Sequence, residues 1–281
     1  MTYKDILFPV ETYPDIPPES VWHNAAALAR LLGEELTALA FHLRIRGPGN
    51  RLANMLIGLD QLAKEEEAKS AVAAQEALRR FAEVASSADL AVKTLVEHVS
   101  LPERAERATQ LARTRDICLA AVGPSMSGDV STAERVLFGS GRPVIVFPEQ
   151  GQPIGPTLSR VAIAWDGTRP AARAVSDALP LLKSAGEVRV VTVVDEKPAA
   201  ESGIAVDLVR HLARHDVSAT VDEVKFEGDS IGKALSSYVA HQRIDLLVMG
   251  AFGHSRTREF ILGGATRSML DKPPIPLLMA H

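Results

Sequence analysis

The chain of 281 residues is long enough to form two domains that each bury a core of their own. Hydrophobic residues make up 46% and charged residues 23%, which is close to average globular usage and excludes a disordered or fibrous protein. The net charge of −4 provides no overall basic field, so the composition argues against binding to nucleic acid or to an anionic membrane.

The first half of the chain alternates short apolar runs with helical stretches rich in Ala and Leu. Its predicted strands are residues 6–10, 36–41, 92–99, 117–122 and 143–147. Its predicted helices are residues 20–32, 59–85 and 102–113. The first apolar run is followed by an acidic residue, Glu11, and a polar turn.

The second half repeats this order. Its predicted strands are residues 161–165, 188–194, 220–226, 246–249 and 276–280. Its predicted helices are residues 171–182, 204–215 and 230–242. Here too an acidic residue, Asp166, follows the first apolar run, so the chain contains an internal repeat.

Strands that alternate with helices predict parallel sheets with helices on both faces. We therefore expect an α/β protein of two tandem repeats, each an open, five-stranded, mainly parallel sheet of Rossmann-like type. The repeats are predicted at residues 1–148 and 159–281, and the Gly- and Pro-containing segment 149–158 is predicted to link them. The final strand of each repeat is expected to be an edge for pairing, within the chain as an intrachain pseudo-dimer or between chains as a homodimer.

A glycine-rich loop in the second half carries the clearest functional signal. Gly250, Gly253 and Gly263 lie between a predicted strand and a predicted helix. Glycines at such a place let backbone N–H groups approach phosphate oxygens. A helix that starts after Gly263 and Gly264 would point its free N–H groups at the same anion, and His254 could add a charge-assisted contact. The loop is not a Walker loop, and the alternative is that its glycines serve only turns and a helix cap.

The spacing Gly250-x2-Gly253-x9-Gly263, after a strand that ends in Val-Met, resembles the nucleotide-binding loop of universal stress proteins. The resemblance extends over both repeats and so identifies the chain as similar to a tandem universal stress protein. It implies that the second repeat binds an adenine nucleotide, ATP, with Mg²⁺ as a candidate companion ion. It also implies a regulatory role in the stress response.

The resemblance assigns further residues to the nucleotide. Asp166 would contact the ribose, the backbone of Val193 would meet the adenine, and Met249 would line the adenosine pocket. The backbone at Gly264 and Ala265 would surround the phosphates together with the loop glycines. Trp165, which precedes the aspartate, is expected either to flank the adenine or to pack in the core.

Two features depart from the family pattern. Gly264 stands where the family usually has Ser or Thr, so a hydroxyl contact to phosphate worth about 1 kcal/mol is lost. The corresponding loop of the first half is six residues shorter, with 20 against 26 positions from its first glycine to the proline of the final strand. It also carries Pro124, Met126 and Asp129, so we expect the first half not to bind nucleotide in the family's way.

Other readings of the chain remain as alternatives. The protein could be an interaction scaffold of the same fold that has lost the nucleotide, or an enzyme of the wider adenine-nucleotide α/β group. No residue is a clear general base, so we expect no catalytic residue and at most slow ATP hydrolysis.

The remaining polar candidates predict no second site. The eight histidines show no metal-ligand spacing, and His211 and His215 are expected to be a surface pair. The single cysteine, Cys118, is expected to be a small core residue. The sequence shows no signal-peptide pattern and no apolar run near the ~20 residues of a membrane span, which favours a cytoplasmic location.

Overall fold

The computed structural model describes residues 3–33, 35–45, 59–124, 129–194, 203–225, 230–251 and 264–281. The strands of the first half are β1 Ile6–Val10, β2 Glu35–Arg44, β3 Ala91–Ser100, β4 Ile117–Val122 and β5 Val144–Pro148. Those of the second half are β6 Arg160–Ala164, β7 Glu187–Val194, β8 Ala219–Lys225, β9 Leu246–Gly250 and β10 Leu277–Ala280.

The described helices follow the same two-part order. In the first half they are α1 Glu19–Leu32, α2 Leu59–Ser87, α3 Arg104–Ala112 and α4 Asp129–Gly139, with a short 3₁₀ turn at Leu101–Glu103. In the second half they are α5 Arg169–Ser184, α6 Ile204–Ala213, α7 Ile231–Gln242 and α8 Gly264–Asp271. None of the described helices is both long enough and apolar enough to cross a membrane.

The described strands form one ten-stranded sheet in the order β3-β2-β1-β4-β5-β10-β9-β6-β7-β8. Each half contributes five strands, and the strands within each half are parallel. The two fifth strands, β5 and β10, run antiparallel and pair at the centre, with Ile145 opposite Leu278. The edges of this sheet are therefore β3 and β8, and the pairing of the final strands takes place within the chain.

Two hydrophobic cores cover the two faces of the sheet. Helices α1, α2, α5 and α6 pack on one face, where Trp22, Phe8 and Phe81 are among the fully buried side chains. Helices α3, α4, α7 and α8 pack on the other face. Helices on both faces explain why β1 and β4 are apolar throughout, because every side chain of these central strands is buried.

The segment between the halves lies against α1 rather than projecting away from the sheet. The backbone N–H of Ile154 donates to the buried Asn24 side chain at 3.2 Å. The Ser20 hydroxyl donates to the carbonyl oxygen of Glu149 at 3.1 Å. These contacts hold the linker against α1. The second half is thus attached to the first both by the linker and by the pairing of β5 with β10.

The single cysteine is part of this core. Cys118 lies in β4 with about 1% of its surface exposed and is a free thiol. Burial raises the pKa of the Cys118 thiol well above its ordinary value. The thiolate that a nucleophilic role would require is therefore disfavoured.

Candidate functional site

The order of the strands reverses direction between β6 and β9, which creates the switch point of the second half. These two strands are parallel neighbours, with Ile163 opposite Val248. Their carboxyl ends lie side by side and lead into the turn at Asp166 and into Ala251. In open α/β sheets this is the position at which ligands bind.

Asp166 lies exposed at the end of β6 in a tight turn. Its Oδ1 atom accepts hydrogen bonds from the backbone N–H of Thr168 at 2.9 Å and from the Thr168 hydroxyl at 2.6 Å. Thr168 is the N-cap of α5, and Gly167 between them has a φ of +73°, which favours glycine. The turn and the helix cap thus fix the carboxylate at the switch point.

Gly250 ends β9 where that strand meets the first turn of α5. A Cβ atom at this position would lie 2.4 Å from the backbone nitrogen of Ala171 and 2.6 Å from the carbonyl carbon of Pro170. Backbone atoms cannot move aside as a flexible side chain can. The first glycine of the predicted loop is therefore required by a close approach between a strand and a helix.

Trp165 and Met249, whose side chains are predicted to lie near the adenosine, pack on opposite faces of the sheet. The Trp165 indole N–H donates to the carbonyl oxygen of Ile204 at 3.1 Å, and the ring packs on the α5 and α6 face of the sheet. Val193 and Met249 pack on the opposite face, and Met249 is only 5% exposed. Trp165 is thus partly engaged by the core and by α6, on the other side of the sheet from the two apolar residues.

The helix predicted after the glycine loop begins at Gly264. Gly264 is exposed, and a Cβ atom placed there would meet no atom of the described residues within 4 Å. Ala265 follows in the first turn and is half-buried. Gly253, His254 and Gly263, which complete the predicted set, lie outside the described residues.

The switch point of the first half has a different composition. Glu11, the counterpart of Asp166, is buried with 6% exposure and forms an ion pair with Arg104 of α3. The hydroxyl of Thr132 in α4 donates to the other oxygen of Glu11 at 3.2 Å. The carboxylate at this switch point therefore has protein partners on both oxygens.

Sequence reasoning identified Glu11 as the repeat counterpart of Asp166 but missed its two partners. Arg104 and Thr132 lie far from it in the chain, at the start of α3 and within α4. Burial raises the pKa of the Glu11 carboxyl, and the neighbouring Arg104 guanidinium and the Thr132 hydroxyl act in the opposite direction. The sequence does contain one sign of this difference between the halves. The first half has glutamate, which has the longer side chain, where the second half has aspartate.

The sequence model of the universal stress protein family matches residues 157–281, which span the whole second half of the sheet. The second half of the chain therefore contains a universal stress protein domain. The ten-stranded, two-part sheet of the whole chain fits a tandem arrangement of two such repeats.

The chain is similar to known proteins in both sequence and structure. A universal stress protein of Synechocystis sp. is 29% identical over 151 residues, covering 52% of this chain and 49% of its own. The chain thus spans about half the length of the curated relative that it matches.

Two solved structures show the same fold over nearly the whole chain. A universal stress protein from Archaeoglobus fulgidus DSM 4304 has a TM-score of 0.72 at 16% identity, with 98% of this chain and 97% of that chain covered. A protein of unknown function from Pseudomonas aeruginosa PAO1 has a TM-score of 0.56 at 15% identity, with 99% and 92% covered.

Proposed function

We propose that this protein is a tandem universal stress protein that binds an adenine nucleotide, ATP, through its second half and acts as a regulatory stress-response protein. The observation that carries the proposal is the arrangement of Asp166 and Gly250. They end adjacent parallel strands at the switch point, with the carboxylate exposed and the glycine pressed against the start of α5.

Asp166 is suited to the ribose of the nucleotide. Its Oδ1 atom is held by Thr168, so the carboxylate does not have to be ordered when a ligand arrives. A carboxylate accepts hydrogen bonds from ribose hydroxyls, as acidic residues do in other α/β nucleotide sites.

The phosphate end of the site would be formed by the glycine loop and by the start of α8. A helix presents unpaired backbone N–H groups at its N-terminus and so favours an anion there. Gly264 and Ala265 form the first positions of α8, and a Cβ atom on Gly264 would contact none of the described residues. Any Mg²⁺ would be held mainly by the phosphate oxygens of the nucleotide itself.

The composition of the first half's switch point supports assigning the nucleotide to the second half. The carboxylate of Glu11 is buried and engaged by Arg104 and Thr132, so it is not offered to a ribose. Gly123, the counterpart of Gly250, is followed by Pro124, which has no N–H group to donate to a phosphate. We therefore expect one nucleotide per chain.

A scaffold function of the same fold is the second candidate. It is favoured by Gly264, which removes the hydroxyl that the family usually supplies after its last glycine. In that case the two halves would present a surface to a protein partner, and no nucleotide would be retained.

Calorimetric titration with Mg-ATP distinguishes the two functions. We expect the wild-type protein to bind one ATP per chain and Asp166→Ala to lose most of the affinity. Asp207→Ala, which changes a similarly exposed carboxylate on α6, should bind as the wild type does. If the wild-type protein binds no ATP at millimolar concentration, the nucleotide-binding proposal is wrong and the scaffold function is favoured.

A further inference from the structure

Two histidines of the first half lie next to each other on neighbouring strands. His42 of β2 and His98 of β3 are paired in the parallel register. Their rings stack with centroids 4.2 Å apart and an angle of 16° between the ring planes. Because they occupy matching positions in the register, both side chains lie on the same face of the sheet, the face covered by α2.

A glutamate from that helix reaches the two rings. Glu67 lies on the side of α2 that also carries the buried residues Ala63, Ser70 and Ala74. Its Oε1 atom is 3.3 Å from Nε2 of His98 and 3.8 Å from Nε2 of His42. The three side chains therefore converge from three separate elements, which explains why no spacing in the sequence revealed them.

The position of the glutamate is fixed by the backbone. The N–H of Ile45, just after β2, donates to the second oxygen of Glu67 at 3.1 Å. The backbone contact thus leaves the Oε1 atom directed at the two imidazoles.

The dimensions of the cluster suit a metal ion. One ligand atom from each of His42, Glu67 and His98 lies within 4.8 Å of the others. Ligand atoms about 2.1 Å from a tetrahedral Zn²⁺ are about 3.4 Å apart, so the distances of 3.3 and 3.8 Å need only small side-chain adjustments. Two imidazoles and one carboxylate form a known zinc ligand set that leaves a fourth position open.

Charge and access also permit a cation. The side chains of His42 and Glu67 are 29% and 30% exposed and that of His98 is 50% exposed, so an ion can enter from solvent. The nearby guanidinium of Arg44 is directed to the carbonyl oxygen of His98 at 3.4 Å and to the Glu103 carboxylate at 3.8 Å. Its positive charge is therefore partly offset.

We propose that His42, Glu67 and His98 form a binding site for a divalent transition-metal ion of the Zn²⁺ class in the first half of the protein. Imidazole ligands favour Zn²⁺, Co²⁺, Ni²⁺ or Cu²⁺ over Mg²⁺ and Ca²⁺, which prefer oxygen. The bound ion would join α2 to the edge strand β3 and to its neighbour β2. The site is independent of the nucleotide proposed for the second half.

The test is titration of the metal-free full-length protein with Co²⁺ and Zn²⁺. Tetrahedral Co²⁺ gives visible absorption bands, and Zn²⁺ is measured by competition with a chelating dye. We expect one ion per chain in the wild type and loss of the site in His98→Ala. Because the His98 side chain is half exposed, this change should leave the fold intact, as circular dichroism would show.

Two further variants separate a built site from unspecific binding. Glu67→Gln keeps an oxygen that can accept from Ile45 but removes the charge, so we expect affinity to fall by more than about tenfold. The double variant His211→Ala/His215→Ala removes another pair of adjacent rings, 4.8 Å apart, and should bind as the wild type does. Equal binding by wild type and His98→Ala, or equal loss in the His211→Ala/His215→Ala protein, would overturn the proposal.

Discussion

Arg104 donates a charge-assisted hydrogen bond to the carboxylate of Glu11, and both side chains are buried at the switch point of the first half. At the same position in the second half, Asp166 is exposed and has a hydrogen bond only with the neighbouring Thr168 among the described contacts. One repeat thus encloses its acidic residue within the protein, and the other presents it to solvent.

The Glu11–Arg104 pair predicts a large effect of a single change. Arg104→Met should lower the free energy of unfolding by about 3–5 kcal/mol at neutral pH, because it leaves a buried carboxylate without its partner. Chemical denaturation measures this. Arg79→Met, which removes an exposed arginine paired with Glu76 and Glu83, is the control and should barely shift the midpoint. Equal losses of unfolding free energy in Arg104→Met and Arg79→Met would contradict the prediction that the buried ion pair matters more than the exposed one.

The same pair predicts a pH dependence. Burial raises the pKa of Glu11 above its ordinary value, and Arg104 opposes this, so Arg104→Met should raise that pKa further. The folded variant then holds the proton more tightly than the unfolded chain does, and lowering the pH favours folding. Its stability deficit against the wild type should therefore shrink between pH 7 and about pH 5. A deficit of Arg104→Met that stays constant over this range would contradict the prediction.

Two glycines of the second half should respond differently to an added methyl group. Gly250→Ala should lower the free energy of unfolding by roughly 1–3 kcal/mol, because the Cβ atom would press on the backbone of α5. It should also weaken ATP binding by displacing the end of β9. The methyl group added in Gly264→Ala meets none of the described residues, so stability should be unchanged or slightly raised. Similar losses in both variants, measured by thermal melting, would contradict the assigned close contact.

Restoring the family's hydroxyl should strengthen nucleotide binding. Gly264→Ser places a donor at the start of α8, where the phosphates are proposed to lie, and one net hydrogen bond of about 1 kcal/mol corresponds to a roughly fivefold gain in affinity. Titration of both proteins with Mg-ATP measures the ratio. Gly264→Ala separates the hydroxyl from the added Cβ atom, and an equal gain in that variant would show that the hydroxyl makes no contact.

Much of the fold followed from hydrophobic periodicity. The strands at Ile6–Val10 and Ile117–Val122 begin and end where predicted, because continuous apolar runs are buried between two helical layers. The helix Asp129–Gly139 was not predicted, because the glycine and proline just before it suggested only a loop. The 3₁₀ turn at Leu101–Glu103 likewise shortened the predicted third helix at its start.

The candidate sites were predictable only where their residues are close in the chain. Asp166 follows β6 and Gly250 ends β9. The order of these parallel strands alone places both residues at the carboxyl ends of the strands, at the switch point. The partners Arg104 and Thr132, and the cluster of His42 with His98, depend on register and on helix packing. Contacts between elements that are far apart in the chain produce no characteristic residue spacing in a single sequence.

The most direct test of the nucleotide proposal is native mass spectrometry of the full-length protein in Mg-ATP, beside the variant Gly253→Val. We predict one nucleotide retained per wild-type chain and none in the variant, because the nucleotide is proposed to bind at the switch point of the second half, beside the glycine loop. No nucleotide on the wild type at millimolar ATP, or the same nucleotide retained by Gly253→Val, would contradict the account.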